Sequence, residues 1–238
     1  MYWKSRSSSG LSLFLLLFLP FAAAGDSLRA FNAKYSLYRG DMYVADSKLK
    51  LEATDAHWRW QLSTRARGVY ALFTDKKPVS ETTFTVVDDQ IQLRQIKISD
   101  KSDKKHLETA DFNWQKSSLA VLRKGKQKQH SLTRAVYDFQ SIHWLAGNLL
   151  KQQLNSIRIN FYYKGKLIES DYAYLGINKL KLNKTEKPSH VFEQDIKRSK
   201  SKIRYYYDID NPLLPLRIET LKSGESPTVM VLQSVKWL

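Results

Sequence analysis

The 238-residue chain contains no cysteine. That excludes disulfide cross-links, thiolate zinc sites and thiol nucleophiles. It also excludes a lipoprotein anchor, because no cysteine follows the apolar run near the N-terminus. Signature loops for phosphate binding or acyl transfer are missing too: there is no GxGxxG, no P-loop and no GxSxG. The histidines, His57, His106, His130, His143 and His190, show neither HxH nor HExxH spacing, so a metal site lacks its usual local frame. No apolar run reaches the roughly 20 residues of a spanning helix. No repeat of fixed period and no linker divides the chain.

What is present begins with an address. Met1–Ser9 carries Lys4 and Arg6 and no acid, Leu11–Phe21 is a short apolar run broken near its end by Pro20, and Ala22-Ala23-Ala24 supplies small residues before polar sequence starts at Gly25. That order predicts a signal peptide over residues 1–24, cleaved after Ala24, and a single β-rich domain over 25–238. Export without cysteine points to the periplasm. Removing Lys4 and Arg6 leaves 37 basic residues against 23 acids, a net charge of +14. A field of that sign favours polyanionic partners. Export sets nucleic acid aside and leaves anionic lipid or an envelope polymer.

Period-two alternation dominates the remainder, as half-buried strands require. Phe31, Ala33, Tyr35 and Leu37 alternate with polar residues; so do Leu49 and Leu51, Trp58 to Leu62, Phe84 and Val86, and Ile157 to Tyr163. Ile91 and Leu93 share one parity, Ile96 and Ile98 the other, which predicts a β-bulge near Gln95. Further strands are read over Ile168–Leu175, Leu180–Leu182, Ile203–Tyr207, Leu216–Thr220 and Val229–Trp237. Turn signals recur often enough to imply an antiparallel meander. The exception is Asp138–Lys151, where Phe139, Ile142, Leu145, Ala146 and Leu149 fall at helical spacing behind Asp138 as N-cap. The expected fold is mainly β: one large curved antiparallel sheet or open β-barrel of about ten or more strands, packed around one α-helix.

Four segments carry a resemblance. They are Phe31-Asn32-Ala33-Lys34-Tyr35 with Gly40; Gly68–Phe73 leading to Ser80–Phe84; Tyr137-Asp138-Phe139-Gln140-Ser141; and Leu214–Glu219 ahead of Gly224. In their order and spacing the chain resembles the DUF3108 family of exported bacterial proteins. The resemblance implies an exported β-rich domain and supplies no catalytic residues.

Chemistry read from the residues themselves is sparse. Asp138, Ser141 and His143 make a poor triad, because Ser141 and His143 lie about 200° apart around a helix. His143 is expected to be partly exposed. Asp208–Asn211 lacks the glycine and glutamate of a calcium loop and reads as a turn. The basic runs carry more. Lys124, Lys126 and Lys128 alternate as if lining one strand face, and Lys197, Arg198, Lys200, Lys202 and Arg204 form a second cluster opposite Ile203, Tyr205 and Tyr207. Their ordinary role is a solvated edge that discourages strand pairing; their functional role is an anion-binding stripe. Consecutive aromatics at Tyr162-Tyr163 and Tyr205-Tyr206-Tyr207 imply strands covered on both faces. The expected activity is therefore non-enzymatic, without a cofactor: binding an amphipathic envelope anion, with acyl chains in the concavity and phosphates on the lysines. The second reading is an envelope scaffold that grips another protein through a sheet edge. The pattern assigns no oligomeric state.

Overall fold

The computed structural model describes residues 28–54, 56–74, 76–100, 102–182 and 185–238. The leader expected over residues 1–24 lies outside them. The elements run β1 (Phe31–Arg39), β2 (Met42–Ala53), β3 (Trp58–Ala66), the one-turn helix α1 (Tyr70–Phe73), β4 (Pro78–Val87), β5 (Gln90–Asp100), β6 (Asp103–Asn113), β7 (Ser118–Arg123), β8 (Lys126–Ser131) and β9 (Val136–Tyr137). Helix α2 (Ile142–Lys151) follows, then β10 (Ser156–Tyr163), β11 (Lys166–Leu182), β12 (Thr185–Ile196), β13 (Ser201–Asp208), β14 (Pro215–Lys222) and β15 (Thr228–Trp237).

Among the described residues, 15 strands form one sheet in the order β8 to β1, then β15 to β9. It is two meanders joined where β1 pairs with β15, antiparallel except at the β9–β10 pair. This is the expected mainly-β fold, a single large open sheet around one principal helix. Simple lengths show why it rolls. The edge strands β8 and β9 are joined by Leu132–Ala135 alone, a link that spans at most about 18 Å. Laid flat, 15 strands would separate those edges by about 67 Å. The sheet must curl until its edges meet.

It curls past closure. Tyr162 of β10 donates to Glu108 Oε1 of β6 at 2.8 Å and lies edge-on to Phe112. A Cβ on Gly165, in the β10–β11 turn, would come 2.8 Å from Arg123 Cδ of β7. The second edge is thus tucked against the inner face of the first, with no ladder between them. Tyr162 faces outward into that overlap, while Phe161 faces inward to Phe139. Both faces of β10 are covered, as its paired tyrosines implied, and the second cover is the sheet's own other end.

Parity sorts the core as expected. Phe31, Ala33, Tyr35, Leu49, Leu51, Trp60 and Phe84 are buried on the inner face. The expected bulge is present: Thr83 pairs with Gln95 and Phe84 with Leu93, leaving Arg94 as the extra residue. One strand reading is corrected. Ile168–Leu175 and Leu180–Leu182 belong to the same strand, β11, which bulges at Leu175 where Gly176 adopts φ +98°. The left-handed glycine re-aims the strand without ending it.

The helix is also corrected at its start. It begins at Ile142, with Ser141 in place of Asp138 at the capping position. Asp138–Ser141 is a turn in which the Asp138 carboxylate accepts the N–H groups of Gln140 and Ser141 at 3.2 and 2.7 Å, and the Asp138 carbonyl accepts the N–H of Ile142. Asp138 therefore satisfies orphan donors from outside the helix. Phe139, expected in the apolar stripe, lies on this turn and is 43% exposed. Ile142, Leu145, Ala146 and Leu149 are buried against β10–β13 as the stripe predicted. Each of the larger three contributes about 1.5–3 kcal/mol by burial. Trp144 packs into the other half of the core.

Candidate functional site

Alternating strands give the rolled sheet two rims. One carries the turns Arg123–Lys126, Tyr163–Lys166, Ile196–Ser201 and Lys222–Thr228; the other carries Val87–Gln90, Asp208–Pro215 and the C-terminal end of α2. These four turns hold Arg123, Lys124, Lys126, Lys164, Lys166, Lys197, Arg198, Lys200 and Lys222 against one acid, Glu225, while Asp41 in the β1–β2 turn and Asp100 at the end of β5 lie elsewhere on the same rim. The sequence clusters at Lys124 and Lys197, far apart in the chain, therefore converge on one rim.

Inside that rim an apolar pocket of about 180 Å³ separates the inner face of the sheet from the turn before α2. Leu37, Ile203, Thr220 and Thr228 line it, each within two residues of its strand's end at the basic rim. Leu49, Leu62, Ile218 and Met230 form the deeper wall, with Phe139, Gln140 and His143 across from them. An engineered cavity of about 150 Å³ lined by apolar side chains takes up benzene, so this pocket has room for a ring or a short alkyl segment.

A hydrogen-bonded floor fixes the polar side. Thr82 of β4 donates to Gln140 Oε1 at 2.7 Å and also contacts the Asp138 carboxylate, and Gln140 Nε2 donates to the Ser80 carbonyl at 2.9 Å. Ser141 Oγ donates to Asp138 at 2.6 Å. His143 Nδ1 bonds the Tyr207 hydroxyl at 2.8 Å, and its ring lies between Trp60 and Tyr205. The expectation that His143 is partly exposed is overturned: it is 2% exposed. The sheet encloses the helix on its polar side as well as its apolar side. Burial pulls the His143 pKa down from 6.5 to about 3, so the ring stays neutral near neutral pH. Ser141 serves Asp138 and does not touch His143, so no triad forms. Among the described residues no cluster of histidines and acids could hold a metal ion.

The basic runs are less regular than their spacing predicted. Lys124 sits in a turn with φ +51°, off the strand that carries Lys126 and Lys128. Those two oppose Arg123 and Val121, on the inner side of edge strand β8. Lys197–Ser199 is a short 3-10 turn and Lys200 is left-handed at φ +52°, so only Lys202 and Arg204 continue along β13. Glu193 holds both, at 2.8 and 2.9 Å, and Asp171 holds Lys197 at 2.9 Å. Lys124, Lys126, Lys128, Arg198 and Lys200 form no ion pair among the described residues. Sequence reasoning missed Gln140, His143, Thr220 and Thr228 as pocket residues. The available signal was hydroxyl groups at inward parity on β14 and β15.

A comparison with curated proteins finds no match. Among solved structures, the chain is similar to the crystal structure of a β-barrel-like protein of the domain of unknown function DUF1849 from Brucella abortus. The two share 9% identity at a TM-score of 0.59, covering 89% of this chain and 98% of that one. At that identity the likeness concerns the fold alone. The family model described as "Protein of unknown function (DUF3108)" matches residues 34–232, which takes in the rolled sheet from β1 to β15, and the chain belongs to that family.

Proposed function

We propose that the protein is an exported, non-enzymatic binder of an amphipathic anion in the periplasm. The carrying observation is the coincidence of an apolar pocket with the basic rim. A short apolar tail enters between Leu62, Ile218 and Met230, and the anionic head remains at the rim near Lys200 and Lys222, at the ends of β13 and β14 that line the pocket. The small volume favours the end of one chain over a whole diacyl lipid. His143 and Gln140 keep the pocket's inner wall rigid.

Delipidated protein titrated with a fluorescent fatty acid, anionic phospholipid vesicles and lipopolysaccharide tests this reading. At least one probe is expected to bind saturably, and filling the pocket with Leu62→Trp is expected to weaken that binding about tenfold. Absence of binding by all three removes the proposal. The scaffold reading retains one supporting observation, the exposed edge of β8. A stoichiometric protein recovered from envelope extracts, with no lipid bound, would favour it.

A further inference from the structure

The opposite rim holds a second and larger cavity, of about 250 Å³, between the C-terminal half of α2, the β4–β5 turn, the Asp208–Pro215 loop and the end of β15. Its chemistry differs in kind. Two indoles, Trp144 and Trp237, line it, and the Arg29 guanidinium lies 5.5 Å from the Trp237 ring centre. Charges balance: Arg29 and Lys151 stand against Asp89 and Asp210. A monoanion finds no net field here, and the polar groups among the indoles make a purely apolar guest a poor match.

The walls are fixed. The Asp89 carbonyl accepts from Trp144 Nε1 at 3.2 Å and from Asn148 Nδ2 at 3.1 Å, and its carboxylate meets Lys151 at 3.3 Å. Gly147 leaves the helix surface bare beside Pro212, which a Cβ would meet at 3.5 Å. On the far side Asn211 Oδ1 accepts the N–H of Leu213, which stiffens the loop that presents the exposed Asp210.

We propose that this cavity is a binding site for a saccharide unit. A pyranose ring presents flat C–H faces and a rim of hydroxyls that each donate and accept. A matching site needs an aromatic surface together with planar polar groups that combine donors and acceptors, and net charge near zero. Trp237, part-exposed, supplies the first, while Trp144, 8% exposed, contributes to the wall; Asp210 and Arg29 supply the second. The volume exceeds that of a cavity known to admit benzene by about two thirds, enough for a six-membered ring with its hydroxyls. The site is independent of the pocket at the basic rim.

The test is a titration of the isotope-labelled protein with maltose, N,N′-diacetylchitobiose and, as the competing anion, inorganic phosphate. The indole N–H resonances of Trp144 and Trp237 are expected to shift saturably with at least one saccharide at millimolar concentration. Asp210→Asn is expected to weaken that binding about fivefold and Trp237→Ala about tenfold. Asp210 is exposed in a loop, so its variant retains the fold even if loss of the Trp237–Phe31 contact perturbs the other. Unmoved indoles with both saccharides would overturn the proposal. So would stronger shifts with phosphate, or wild-type affinity in Asp210→Asn.

Discussion

The two rims of one rolled sheet are built to different chemical rules. At the basic rim, lysines crowd four turns of a rim that also opens onto an apolar pocket, whose polar members are neutral. At the other, aspartates, a guanidinium and an ammonium balance one another beside two indoles. Both cavities border the same helix: its N-terminal approach closes one and its C-terminal turn closes the other. The lesson is that α2 works as an axle that fixes two separate mouths, and each mouth takes its character from the turns of its own rim.

The largest effect expected concerns His143, at the basic-rim pocket. Its folded-state pKa of about 3 lies below the 6.5 of an unfolded chain. Between those values the unfolded state binds the extra proton. Stability therefore falls as pH drops from 6.5 toward 3, by about 1.4 kcal/mol per unit once the unfolded histidine is protonated. Its position at the start of α2 adds to the effect, since the helix dipole opposes an imidazolium there. Urea denaturation across that window is expected to give a flatter dependence for His143→Gln than for the wild type. Parallel curves would show that the pocket wall is wet.

Next comes the overlap of the two sheet ends. Arg123 belongs to the basic rim by sequence, yet its Nε meets Glu108 at 2.5 Å, and Glu108 also accepts from Tyr162. Among the described residues, Arg123→Ala leaves the Glu108 carboxylate, largely buried, with the Tyr162 hydroxyl alone. The expected loss is about 2 kcal/mol, between the ranges for exposed and buried pairs. Lys124, one residue on, has no such partner among the described residues, so Lys124→Ser should change the urea midpoint negligibly. If the two variants behaved alike, the rim would be uniform and the tucked edge would not depend on this pair.

Much of this was legible in the sequence, and the failures have a common cause. Parity located the inner faces of β1, β2 and β3, and the parity switch found Arg94's bulge, because side-chain period in a strand is a local property. The apolar stripe found Ile142, Leu145 and Leu149 for the same reason. Burial of His143 and exposure of Phe139 were misread because they depend on how far the sheet curls and where the helix begins inside it. The lysine clusters were visible as composition, but their meeting on one rim follows from strand direction summed over the whole meander. Glu193 and Asp171, which occupy Lys202, Arg204 and Lys197, come from strands that no local pattern ties to them.

The rim lysines give the next effect in size. Neutralising Lys124, Lys126 and Lys200 together is expected to weaken binding of anionic vesicles about tenfold at low salt, as each contributes up to about 1 kcal/mol near such a surface. The loss should nearly vanish at about 1 M salt, where the screening length is about 3 Å. Stability should move by less than about 0.5 kcal/mol, and saccharide shifts at Trp144 and Trp237 should persist. Loss of both ligands together would mean the rims communicate through α2.

The smallest effect isolates the backbone of the other rim. Asp88 and Asp89 form a two-residue turn between β4 and β5 with φ of +50° and +58°. Such a turn matches strand twist but prefers Asn-Gly, since side chains crowd the left-handed region. Asp89→Gly and Asp89→Ala both delete the exposed pair with Lys151 and both keep the carbonyl that Trp144 and Asn148 need. They differ in whether a Cβ occupies that conformation. The alanine variant is therefore expected to be less stable than the glycine variant by about 1 kcal/mol in urea denaturation. Equal stabilities would mean that the turn relaxes when its carboxylate is gone, so that the Lys151 contact, rather than the backbone, holds the β4–β5 hairpin against the helix.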